Sequence, residues 1–226
     1  MESQIAHGPD FASLTLRFER AGESVLVEAG AMIARDTDLV MKTQLRGGLG
    51  ASLKRSLLGG ESLFQNTFTA TRPGQVLRLA PAVEGEIVQH VLSGSRTLFL
   101  QSGAFVACAP EVTLDTKWGG AKGFFGAGLF LLKASGAGPV WFATYGALHE
   151  VELTGGEYVV DNAHLVAFED TLTYSVEKVG GLKSLLFSGE GLVCRMRGTG
   201  RVWLQTRSPS SLAWFLHPFR PVKARR

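Results

Sequence analysis

A chain of 226 residues with 45% hydrophobic content can bury a substantial core, as one large all-β domain or two small domains, and this argues against disorder. The 23 Lys and Arg against 20 acidic residues leave a net charge of +3, too small an excess to point to nucleic acid, and Lys223, Arg225 and Arg226 in the tail supply much of it.

Taken in chain order, the opening "MESQIAHGPD" is polar and acidic where a signal peptide is basic and then apolar, so a cytoplasmic protein is expected. No apolar run reaches the roughly 18 residues of a membrane-spanning helix. Leu14, Leu16 and Phe18 alternate with Thr15, Arg17 and Glu19, and Val151 and Leu153 with Glu150 and Glu152, the period-two pattern of half-buried strands. Turn signals "AGES", "RPGQ", "LSGS", "LTGG" and "GTGR" separate such segments at intervals of about eight to twelve residues, as in antiparallel sandwiches and barrels. Helical signals come only at the end: "SPSSLAWFLHPF" offers Ser208 or Ser210 as an N-cap and Pro218 as a stop.

The chain also repeats itself. "AMIARDTDLVM" from Ala31, "AFVACAPEVTL" from Ala104 and "HLVAFEDTLTY" from His164 align, and each runs into a glycine pair: Gly47-Gly48, Gly119-Gly120 and Gly180-Gly181. Downstream, Gly74, Gly138 and Gly200 precede Val76, Val140 and Val202 by two residues; upstream, three strand segments align through Gly22, Gly94 and Gly155. The repeats fall at about 12–82, 83–145 and 146–208, and three copies of one β unit are expected to pack about a pseudo-threefold axis, each covering an edge or face that its neighbour leaves open. The expected fold is all-β: three tandem antiparallel barrel-like or sandwich-like modules forming one compact body over 1–208, with a short helix and basic tail at 209–226.

"GAMIARDTDLVMKTQLRGG", "GGESLFQNTFTA" and the threefold recurrence resemble the Altered Inheritance of Mitochondria twenty-four family. The resemblance implies short barrels of the double-stranded β-helix type, grouped with the tryptophan RNA-binding attenuation protein, and its name implies a mitochondrial connection in eukaryotes. It brings no catalytic residues, and a shared fold does not carry function.

Cys108 and Cys194 stand far apart with no metal or redox spacing and read as buried small hydrophobes. The five histidines, His7, His90, His149, His164 and His217, contain no His-x-His pair for a cupin-type metal. His149 beside Glu150, and His90, are the remaining acid–base candidates, yet across repeats each falls opposite a valine (Val88 and Val151), as ordinary strand residues do. Glu84 with Glu86, and Glu169 with Asp170, have no basic or metal partner in sequence. "GAGPVW" and its recurrence "GTGRVW" read as hairpin turns, not nucleotide loops, and no cofactor motif is present. Trp141 and Trp203 sit at equivalent strand positions between apolar neighbours and are expected in the core, not as stacking platforms for bases.

The three glycine-rich segments "GGLGASLKRSLLGG", "GGAKGFFGAGLFLLKASG" and "GGLKSLLFSGEG" carry Lys54, Lys122 and Lys183 and then Leu or Phe. They are expected either to close the core between repeats or to form an apolar patch rimmed with positive charge. The residues expected to contact a membrane surface or protein partner are Lys54, Arg55, Lys122, Phe124, Phe125 and Lys183. The leading expectation is a non-enzymatic binding or scaffold protein, with further assembly into a homo-oligomer left open; the alternatives are binding of RNA or single-stranded nucleic acid, and a small-molecule-binding barrel or enzyme.

Overall fold

The structure is a computed structural model that describes residues 1–45, 64–115, 131–178 and 192–220. In chain order its strands are β1 (Glu2–Ala6), β2 (Ser13–Arg17), β3 (Ser24–Glu28), β4 (Met32–Arg35), β5 (Val40–Leu45), β6 (Phe64–Thr69) and β7 (Val76–Leu79). There follow β8 (Ile87–Ser93), β9 (Leu98–Gln101), β10 (Phe105–Cys108), β11 (Val112–Asp115) and β12 (Leu131–Ala143). The last are β13 (Leu148–Asp161), β14 (Leu165–Glu169), β15 (Leu172–Lys178) and β16 (Leu192–Gln205), then the helix α1 (Pro209–Leu216).

Alternation sets which face each strand buries. Leu14 and Leu16 of β2 and Val25 and Val27 of β3 are buried, with Thr15, Leu26 and Arg17 between or beside them more exposed. The pairings form a four-stranded antiparallel sheet in the order β1-β2-β7-β4 and a larger one that runs from β13 to β5 through β16, β14, β9, β12, β10, β3 and β6. The protein is therefore all-β with one short C-terminal helix, and its sheets are open, not closed into barrels. Of the two N-cap candidates, Ser208 takes the place: its hydroxyl accepts from the Ser211 amide at 3.4 Å.

One group of turn signals is corrected. "AGES", "RPGQ" and "LSGS" do separate strands, whereas "GAGPVW", "LTGG" and "GTGR" lie inside the long strands β12, β13 and β16. The chain stays extended there because glycines with positive φ (Gly136, Gly138, Gly155, Gly156, Gly198 and Gly200) bend a strand without ending it. Each half of the bent strand then joins a different layer: residues 131–136 of β12 pair with β9 and β11, and residues 137–143 with β8 and β10.

Three strands of similar sequence carry the same irregularity. The register shifts between Met32 and Ala34 where β4 meets β7, between Phe105 and Ala107 where β10 meets β12, and between Leu165 and Ala167 where β14 meets β16. Their surroundings differ. β10 has a second neighbour, β3, through Ala107↔Val27, and β14 has β9 through Ala167↔Leu100; β10 is buried throughout and β14 over Leu165 to Phe168. β4 ends its sheet and is exposed along its whole length.

The core follows these seams. One cluster joins Leu14, Leu16 and Phe18 to Val106, Ala107 and Trp141; a second joins Leu98, Leu100 and Phe142 to Val166, Ala167 and Trp203; a third gathers Leu153, Val160, Phe168 and Met196. Trp141 and Trp203 are both core, as expected from their sequence neighbours. Cys108 and Cys194 are free and buried, also as expected.

Candidate functional site

A groove of about 430 Å³ opens where β8 approaches the ends of β14 and the bend of β16. His90 and Val91 line it from β8, Glu169 and Asp170 from the end of β14, and Gly200 and Arg201 from β16. The Gly200 bend is required: a Cβ there would stand 2.4 Å from Thr171 Oγ1, and its φ of +156° disfavours an L side chain.

That bend aims Arg201 at Glu169. The guanidinium donates through Nε and Nη2 to Glu169 Oε1 at 3.0 and 2.8 Å, while the Arg201 amide donates to Oε2 at 3.1 Å. The guanidinium carbon lies 5.0 Å from the Trp203 ring centre, and Nη1 stands 3.9 Å from Glu150. Asp170 accepts from the Thr97 amide at 2.8 Å and lies 3.7 Å from Arg96. The carboxylates that lack a basic partner in sequence thus acquire one through the fold: Glu169 takes Arg201 and Asp170 takes Arg96. Glu86, of the other pair, accepts from the Leu148 amide at 2.8 Å.

His90 packs edge-on against Trp203 with ring centres 5.4 Å apart. Burial lowers its pKa, and the nearby Arg201 charge lowers it further, so the ring is neutral at physiological pH. His149 sits on β13 opposite Leu204, and His164 Nδ1 lies 2.7 Å from the Gln205 carbonyl, a contact within the scaffold. Arg201 pairs with Glu169 within β13–β16, and Arg96, after β8, faces Asp170 across the boundary, so these charges fasten the scaffold. Among the described residues, no group of three or more His, Cys, Asp or Glu has the arrangement to hold a metal ion.

The sequence-based contact residues Lys54, Arg55, Lys122, Phe124, Phe125 and Lys183 lie outside the described residues. What the structure does define is where those segments attach: they connect strands paired at Leu45↔Phe64, Asp115↔Lys133 and Lys178↔Leu192.

The surface that sequence reasoning passed over is α1. None of its residues is buried; Trp214 is 78% exposed and Phe215 68%, with Leu212 and Leu216 also exposed, and Phe219 just beyond is 74% exposed. The signal was available in "LAWFLHPF", which has no polar face to set against an apolar one. Among the described residues, no helix is long and apolar enough to cross a membrane.

Comparison with known proteins places this architecture. The chain is 29% identical over 234 residues to the uncharacterised protein M6_Spy0233 of Streptococcus pyogenes serotype M6, covering 99% of this chain and 93% of that protein. Its fold matches the X-ray structure of protein SPYM3_0169 from Streptococcus pyogenes with a TM-score of 0.81 at 28% identity, over 97% of this chain and 99% of that one. The family described as Mitochondrial biogenesis AIM24 matches residues 3–207, the whole β body, and the chain belongs to that family.

Proposed function

We propose that this is a non-enzymatic binding or scaffold protein, built of three tandem β modules, that docks on an anionic membrane surface through its C-terminal helix and the basic residues after it. The observation that carries the docking is the apolar, aromatic surface of α1 and Phe219, followed by Arg220 and, in sequence, by Lys223, Arg225 and Arg226. Trp and Phe favour the headgroup boundary, and cations add attraction to anionic lipid.

Support for three modules comes from the repeated register shift and from the alanines that follow it. Ala34 pairs with Arg78, Ala107 with Trp141 and Ala167 with Trp203, and the next pairs are Arg35 with Leu77, Cys108 with Val140 and Phe168 with Val202. Leu77, not Val76, thereby stands where Val140 and Val202 stand, a one-residue adjustment of the sequence alignment in the first module. The groove favours a binding role over a catalytic one, since Arg201 and Arg96 are engaged with Glu169 and Asp170. The three glycine-rich segments, each linking the ends of a strand pair, are proposed as secondary contacts.

The test is flotation with vesicles. The 226-residue protein is expected to float with phosphatidylserine-containing vesicles, to be released by salt, and to lose binding on Trp214→Ser with Phe215→Ser. Protein that stays at the bottom of the gradient with anionic vesicles at low salt contradicts the docking; protein that floats equally with neutral vesicles contradicts the role of the basic tail.

A further inference from the structure

We infer that the chain associates head to tail with a second copy of itself: β4 of one copy pairs antiparallel with residues 157–161 of β13 in the next. This rests on the three-module proposal and is independent of α1. The joint is one that the chain already makes twice. In the first instance β10 adds to the edge of β3, giving the layer β8-β12-β10-β3-β6-β5; in the second, β14 adds to β9, giving β13-β16-β14-β9-β12-β11.

Two half-layers are left over. One is β1-β2-β7-β4, which ends on β4. The other is the second half of β13 with β16 and β15, which ends on β13. Both present a strand edge that, among the described residues, no other strand covers, and such an edge is a template for a further strand.

Sequence spacing fixes which residues would meet. Val27, Leu100 and Val160 each stand seven residues before Ala34, Ala107 and Ala167 respectively. In the existing joints Ala107 faces Val27 and Cys108 faces Leu26; Ala167 faces Leu100, Phe168 faces Phe99 and Glu169 faces Leu98. The same register sets Ala34 opposite Val160, Arg35 opposite Val159 and Asp36 opposite Tyr158.

Exposure and charge fit that register. Ile33, at the register shift, is 57% exposed, whereas Val106 and Val166 at the same place in the existing joints are 1% and 0% exposed. Val159 is 49% exposed although it lies within a strand. Arg35 would face Val159 with Asp161 on one diagonal, within reach of a long side chain, and on the other Glu157, which Arg195 and Arg197 already hold. Its guanidinium donates to the carbonyls of Asp36, Thr37 and Leu39, which hold it in place without neutralising its charge. A second copy therefore suits both edges at once, and the contact is heterologous, able to form a ring or an open chain.

Sedimentation velocity over a wide concentration range tests this. The wild-type chain is expected at least to double its weight-average mass at high concentration. Ile33→Asp and Val159→Asp, both at exposed positions, are expected to keep the unfolding midpoint and remain monomeric. Mixed together, they are expected to form a heterodimer and nothing larger, because each retains the edge that the other has lost. A wild-type chain that stays monomeric, single variants that associate like wild type, or a mixture that stays monomeric overturns the proposal. Val166→Asp separates the two levels: it lies in an internal joint and is expected to unfold the chain, and if that variant remains folded and stable the three-module proposal fails, whatever the association state.

Discussion

Trp203 donates its indole N–H to Glu150 on the adjacent strand at 2.6 Å, and Trp141 donates in the same cross-strand relation to Gln89 at 3.1 Å. Each indole also packs into the core of the preceding part of the chain, Trp141 beside Leu14 and Phe18 and Trp203 beside Leu98 and Leu100. Arg78 holds the corresponding place opposite Thr15 and Ala34, and is exposed. On the three-module proposal, the two tryptophans close internal joints and the arginine marks the one left open.

Trp203→Ala is expected to cost about 3–5 kcal/mol, since it deletes a large buried side chain and strands part of a core. Arg78→Ala is expected to change stability by less than about 0.5 kcal/mol, as a surface substitution. Urea unfolding of both variants checks the contrast; equal effects would mean that the tryptophans do not seal joints.

Acid is expected to weaken the far end of β13. Hydrogen bonds from Arg195 hold both Glu157 and Glu177 below the usual carboxylate range, with Arg195 at 2.7 Å from Glu157 and 2.9 Å from Glu177. Their folded pKa values are depressed, so their contribution is present above the ordinary carboxylate pKa and is lost as pH falls through the folded values. Melting temperature measured from neutral pH downward should fall, and the fall should be shallower in Glu157→Gln/Glu177→Gln. An identical slope in that variant would assign the acid sensitivity elsewhere.

The thiols are expected to be inert. Burial pushes Cys194 up to about 12, so it supplies no appreciable thiolate near neutrality, and Cys108 is fully buried, out of reach of a reagent. A chromogenic disulfide reagent at mildly alkaline pH should label neither cysteine in the native protein and both in denaturant. Rapid native labelling would show that the core clusters open.

Much of the β architecture was legible in sequence because alternation reports burial directly, as in Leu14, Leu16 and Phe18, and because Ser208 and Pro218 bracket α1 by local chemistry. The long strands were not legible. A glycine pair such as Gly155-Gly156 carries the same signal whether the chain turns back or bends and continues, and only pairing on both sides, Thr154 with Thr199 and Glu157 with Arg197, distinguishes the two. The groove was hidden for a different reason: Glu169 and Arg201 are 32 residues apart, and no local pattern joins them. The apolar character of α1 was legible in "LAWFLHPF", but its exposure was not, since a helix without a polar face reads equally well as buried.

The most direct test of head-to-tail pairing is a cross-link between two different chains. Arg35→Cys and Val159→Cys are prepared separately, in a protein whose native cysteines are buried, then mixed and oxidised. Directly opposite residues of an antiparallel pair lie within disulfide reach. A disulfide-linked dimer that forms in the mixture, and that neither variant forms alone, is the predicted result. A mixture that yields no such dimer, or a doubly substituted chain that closes only on itself as a monomer, would contradict it.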